Sequence, residues 1–426
     1  MTLTRFEKIV RWPPLPYLVA LSFTLIILGI HMLPNMDSML NENNTRISHG
    51  FLKSQIDYHQ EIAPFARRPL TSFLIESVTG KFGLRSGHAF ILINFTLLFL
   101  SGLVLFKLSK TLKASTEQAL ANICAYFLSF SVLFAFFPPV FSYDEPLQYC
   151  FILLALIAFV QKKWAWYVPY FTLALISRET SMLVLPALLF FMPGLRKLNE
   201  NLFSKEHLRL CIPILLPLLF YSIYLALFIY THDQLKATQI EMASRYSCFL
   251  ENFESAKNTV ETWTSVFLAL APFLYLVAVQ MRRKQALASP KKWVGAFLIT
   301  VIINTPIVIL TAFARETRLF ALPLFFIWPV FFQLFGQEIK LIFSFGLYSK
   351  VFKRGSYLLA FMALNSVNFW FCFQWYPELG LGQNTFFGEY LFLLIALMVL
   401  HGMLYHFVEK NPERDLNFKF PSPNPS

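Results

Sequence analysis

Two stretches of this chain carry the same charged tripeptide at the same distance from a proline. Arg178-Glu179-Thr180 and Arg315-Glu316-Thr317 are each followed by four residues and then Leu-Pro, inside strongly apolar sequence. Other ionisable residues stand in comparable places: Asp144 and Glu145 in FSYDEP, Arg67 and Arg68 in FARRPL, Asp57 in QIDYHQE and Asp37 in LPNMDSML. A charge beside hydrocarbon costs roughly 3 kcal/mol or more and is usually paired or functional. Arginine's fork binds phosphate oxygens two at a time, which a lysine cannot copy. Cations and carboxylates gathered together suit a substrate with an anionic head and an apolar tail. The plainer alternative has Thr180 and Thr317 capping the helices that follow, Glu179 and Glu316 at positive helix ends, and the arginines reaching lipid headgroups.

The elements that must position these residues are apolar helices. The chain has 426 residues, 56% hydrophobic and only 14% charged, against about a quarter charged in a soluble protein. Apolar runs long enough to cross a bilayer recur throughout. The reading is an all-α polytopic bundle of about twelve spans, at 14–33, 86–106, 118–137, 146–161, 164–177, 180–193, 210–231, 263–281, 294–312, 317–335, 356–375 and 387–408. The fourth to sixth are short, so the fifth and sixth are also candidates for a broken or re-entrant pair. The N-terminal run has basic residues ahead of it and no small-residue cleavage site, so it reads as an uncleaved first span.

Lys and Arg divide 24 to 12 between the two sides of this layout, and the acids 8 to 16 in the opposite sense. The positive-inside rule then places both termini in the cytoplasm and accounts for the net charge of +12 without nucleic acid. Both Arg-Glu-Thr copies, Asp144-Glu145 and the loop of about 34–85 fall on the outer side. Within that loop, RRPLTSFLIESVTGKFG predicts a short amphipathic surface helix after Pro69. A second outer loop covers about 232–262, and the Pro-rich tail at 409–426 reads as disordered. Residues 1–335 form the main module and 336–408 accessory spans. Cys124, Cys150, Cys211 and Cys372 lie in apolar runs, so no disulfide framework is implied. His401 and His406 fall near the inner face and read as interfacial.

A carboxylate-bearing first outer loop, RPL entering a surface helix, the YDEP turn and the SRETS…LP turn together resemble bacterial GT-C class membrane glycosyltransferases, over roughly residues 14 to 330. The resemblance implies transfer of a sugar, with inversion, from a polyprenyl-phosphate carrier to a glycan, lipid or protein acceptor at the outer face of the bacterial inner membrane. It makes Asp37, shortly after the first span, the catalytic base, with Asp57 as its rival. Arg178 and Arg315, supplemented by Arg67 or Arg68, would then hold the departing phosphate. Glu179, Glu316, Asp144 and Glu145 would orient those arginines or bind sugar hydroxyls, and Tyr143 and Tyr58 would stack on a sugar ring. Some members of the class use a divalent cation, for which Asp144 and Glu145 are the ligands at hand; no HExxH, Walker or dinucleotide motif is present. A polymerase or ligase of lipid-linked sugars and a twelve-span transporter or flippase are the competing readings. Transporters, however, usually hold charge near the midplane, where these spans have none.

Overall fold

The computed structural model describes residues 12–32, 48–62, 65–133, 143–191, 205–282, 291–381 and 386–410. Asp37 and the C-terminal tail lie outside the described residues. Every regular element among those described is a helix. Six are long and apolar enough to cross a membrane: Ser86–Thr111, Cys211–Thr231, Ala256–Arg282, Lys291–Thr311, Gly355–Glu378 and Phe387–Lys410. Thr317–Phe326 and Trp328–Ile342 count as a seventh only if taken together as one broken span. At the other five expected spans the described helices are shorter, as with Trp164–Ser177, which holds Pro169, and Glu145–Val160. The expected span at 180–193 is a 3-10 turn, Glu179–Val184, running into the short helix Leu185–Phe190.

The chain divides into two compact units, Met1–Leu270 with Gln285–Gln333, and Ala271–Lys284 with Leu334–Ser426. In the larger unit, local sequence sets the helix ends. Ser48 Oγ accepts the Phe51 N–H at 3.0 Å and opens the helix His49–Glu61. The helix expected after Pro69 is present as Pro69–Phe82, with proline at its first position and Gly83 ending it in the left-handed region at φ +63°. Ser115 and Gln118 form a reciprocal capping box at the start of Thr116–Phe127. The Phe127 ring of that helix packs on Gly102 of Ser86–Thr111, where an added Cβ would meet it at 2.7 Å and force the ring to move. Nearby, Tyr126 shares a hydrogen bond with Ser101 at 2.7 Å and turns its ring edge-on to Trp328. The Trp328 indole donates to Ser129 Oγ at 2.7 Å.

The stretch from Ala312 to Val330 runs largely through 3-10 turns, and much of its backbone lacks the regular helical ladder. In an apolar setting those groups need other partners, and side chains from four helices supply them. Asn252 donates to the carbonyls of Ile309 and Ala312 and accepts from Ala314 N–H. Ser265 donates to Arg315 C=O, and Asn304 to Leu319 C=O. Asn122 donates to Pro329 C=O and accepts from Phe332 N–H. These bonds fix the backbone on either side of Arg318.

The smaller unit has its own apolar core of Leu341, Leu347, Val351, Leu404 and Phe407. His401, expected at the interface with water, is instead buried at 1% exposure beside the fully buried Glu338. Its two ring nitrogens face Tyr275 Oη at 2.7 Å and Glu338 Oε2 at 2.8 Å. Burial is possible because both nitrogens have partners.

Candidate functional site

The larger unit contains a cavity of about 280 Å³ whose walls mix apolar and charged side chains. Arg68, Glu145, Arg178, Glu179, Glu241, Arg245, Glu316 and Arg318 all line it. They come from five separate places in the chain and sort into two groups, each built around one carboxylate, Glu179 or Glu145.

Glu179 is the centre of the first. Arg68 grips it with both fork nitrogens, Nε at 2.8 Å and Nη2 at 2.6 Å, and Arg67 Nη2 donates at 3.0 Å. Arg245 Nη2 lies 3.6 Å away. Arg245 and Glu241 also pair across one helical turn, and Arg67 Nη1 is 3.6 Å from Glu241. Tyr224 donates to Arg67 C=O at 2.8 Å, tying the loop to the helix Lys205–Thr231. Burial opposes ionisation of Glu179, but Arg68 and then Arg67 outweigh it and hold the carboxyl well below its ordinary range.

Glu145, 3% exposed, is the centre of the second group. Arg178 forms an ion pair with it, and Arg318 Nε approaches the same oxygen at 3.3 Å. Arg318 also donates from Nη2 to Glu316 at 2.8 Å. Burial, then the like charges of Arg68 and Arg318, pull the Arg178 pKa down. An anion placed between Arg178 and Arg318 would relieve that strain on their charge.

Asp144 is 2% exposed and does not line the cavity; it lies 3.7 Å from His59 Nδ1 and 3.8 Å from Arg68 Nη1. Burial pushes its carboxyl up to about 6, with Arg68 only partly offsetting this. His59 is driven down to about 3 by burial and then by Arg68, Arg318 and Arg178.

The structure therefore brings together Arg67, Arg68, Glu145, Arg178, Glu179 and Glu316 from the sequence-based set. It does not bring in Arg315, which is exposed, does not line the cavity, and lies over the Phe313 ring at 4.9 Å. Arg318 lines the cavity instead. Aligning the two tripeptides sets Arg318 against Ser181, so a charge one residue beyond the motif was the available signal. Glu241 and Arg245, spaced four apart in the second long loop, were the other residues missed.

Other expectations change as well. Neither threonine caps the turn that follows, because the cap positions fall on Arg178 and Glu316 and carry no side-chain cap bond. Thr180 Oγ1 instead accepts from Gln148 Nε2 at 3.3 Å. Tyr143 cannot offer a ring face to a sugar, since it is buried, stacked on His59 at 3.8 Å and bonded to Ser72 through its hydroxyl. Tyr58 is exposed and packs on Phe65. Asp57 is half-buried on the helix His49–Glu61 and does not line the cavity. As for a divalent cation, Asp144 and Glu145 turn to different arginines, and no group of three or more metal-ligating side chains occurs among the described residues.

The arrangement can hold an anion between paired guanidinium groups while apolar walls receive a less polar portion of the same ligand. Comparison with known proteins gives no matching family model, no matching curated sequence and no matching solved structure.

Proposed function

We propose that this chain is a GT-C-like membrane glycosyltransferase of about twelve spans. It moves a sugar from a polyprenyl-phosphate carrier to an acceptor at the extracytosolic face of a bacterial inner membrane, with both termini cytoplasmic. The observation that carries this reading is the convergence of Arg68, Arg178 and Arg318, from stretches far apart in sequence, on one cavity with largely apolar walls. An anionic head on a long apolar tail has the chemistry such a cavity accepts.

In the reaction, a carboxylate takes the proton of an acceptor hydroxyl. The oxygen attacks the anomeric carbon, the bond from that carbon to the phosphate oxygen breaks, and polyprenyl phosphate leaves with the electron pair. Arg178 and Arg318 face the charge that gathers on the departing phosphate, where preformed donors stabilise a transition state most effectively. Glu145 holds the two forks at one spot before substrate arrives. Asp37 is the proposed base.

The test is transfer itself. Purified protein in vesicles is given polyprenyl phosphate carrying a radiolabelled hexose, and the label is followed from the carrier to added glycan or lipid acceptors. Label leaving the carrier in the wild type but not in Asp37→Asn supports the reading. Label that crosses the bilayer still attached to its carrier makes the protein a flippase and ends it.

A further inference from the structure

The charged residues of the cavity satisfy one another, but two neutral ones do not. Tyr149 and Asn304 both line the cavity, at 3% and 0% exposure. The Tyr149 hydroxyl and Asn304 Oδ1 are each buried without a hydrogen-bond partner among the described residues. The Asn304 amide is oriented by its own geometry. Its Nδ2 donates to Leu319 C=O at 3.0 Å, and a carbonyl only accepts, so the oxygen must be the free end. The Tyr149 ring is held edge-on to Phe325 at 5.3 Å and tilted against Trp328 at 6.4 Å, which fixes where its hydroxyl lies. The neighbouring Gln148 is already committed through Nε2 to Ser181 and Thr180.

We infer that Tyr149 and Asn304 form a hydroxyl-recognition subsite in this cavity, separate from the arginine groups. This rests on the function proposed above and names the part of the donor that these two residues contact. Asn304 Oδ1 can only accept a hydrogen bond, and the Tyr149 hydroxyl can donate one. An alcohol does both, giving a proton to the amide oxygen and accepting one from the phenol. A phosphate oxygen would be repelled by the amide oxygen, and a cation would go to the carboxylates instead. Buried groups left unpaired discriminate strongly, because a ligand lacking the matching hydroxyl leaves their desolvation uncompensated. In this arrangement the arginines select the phosphate, while Tyr149 and Asn304 select the sugar.

The experiment compares two amphiphiles on the purified full chain in detergent, dodecyl phosphate and dodecyl phosphate bearing a hexose. Wild type should bind the hexose form about tenfold more tightly or better. Tyr149→Phe keeps the ring and its packing, so it should retain dodecyl phosphate affinity and lose most of that preference. A series of monodeoxy hexoses gives an independent reading that needs no variant. One deoxy position should weaken binding to wild type and make no difference to Tyr149→Phe. Equal affinity of wild type for the two amphiphiles overturns the subsite and leaves the phosphate site standing. A preference that survives intact in Tyr149→Phe likewise overturns it. If neither amphiphile binds, the parent function and the subsite fall together.

Discussion

The two arginines Arg315 and Arg318, three residues apart, should behave in opposite ways when replaced. Arg318 lines the cavity, is largely buried, and approaches Glu145 at 3.3 Å and Glu316 at 2.8 Å. Removing a preorganised donor that faces developing charge typically slows turnover about 10²–10³-fold, about 2.7–4 kcal/mol of transition-state stabilisation. Arg318→Ala should show a loss of that order in labelled-hexose transfer. Arg318→Lys should fall in between, keeping the charge and losing the fork. Arg315 is exposed, and its guanidinium has a ring contact with Phe313 at 4.9 Å, worth about 0.5–1 kcal/mol at such a site. Arg315→Ala should therefore transfer at close to the wild-type rate. Rates are measured on equal amounts of monodisperse protein, so that a folding loss is not read as a catalytic one. Equal losses in the two alanine variants, or a larger loss from Arg315→Ala, would refute the assignment of the phosphate contact to Arg318.

Glu179→Gln leaves Arg67 and Arg68 without their shared, largely buried anion, and breaking such a group typically costs about 3–5 kcal/mol; thermal unfolding in detergent should show a marked drop in Tm, and an unchanged Tm would mean the network holds nothing together. The Asp144 carboxyl is raised from 3.8 to about 6 by burial, so the stability it contributes is full below about pH 4 and lost as pH rises through 6. Ionised at pH 8, it works against the fold by about 3 kcal/mol. Asp144→Asn should accordingly raise Tm at pH 8, with the gain shrinking towards pH 4.5, and a gain that is the same at both pH values would contradict the burial argument. In the smaller unit, Glu338→Gln removes the anionic partner of His401 and should lower thermal stability, read as earlier unfolding of a tryptophan fluorescence transition.

How much of this was legible in the sequence depended on which physical rule applied. Long apolar runs such as Ser86–Thr111 and Phe387–Lys410 announce themselves, because about 20 residues of helix match the bilayer. The short runs do not, since hydropathy alone cannot distinguish a crossing helix from one that breaks. Residues 180–193 read as a span, yet the chain there makes a 3-10 turn and a short helix around Pro186. The site was visible as a concentration of charge in apolar sequence, which had to find partners somewhere. Which charges pair was not visible. Arg178 and Glu179 are adjacent, yet each binds across the fold, to Glu145 and to Arg67 and Arg68. The matched tripeptides also invited equal roles for Arg178 and Arg315. Their extended residues fall one position apart, Arg178 in the first copy and Glu316 in the second, so equivalent letters do not point the same way. His401 was misplaced for a related reason. An isolated histidine suggests an interface, and the carboxylate that buries it is 63 residues away.

The asparagine and serine contacts along Ala312–Val330 bear on how this segment is held in place. Most segments of such a chain can enter the bilayer one at a time, because each satisfies its own main chain. This one does so only in part: the carbonyls of Ala312, Arg315, Leu319 and Pro329 are met by Asn252, Ser265, Asn304 and Asn122 from other helices. Since Arg318 is carried on that stretch, its place in the cavity wall depends on the four helices that bear those side chains.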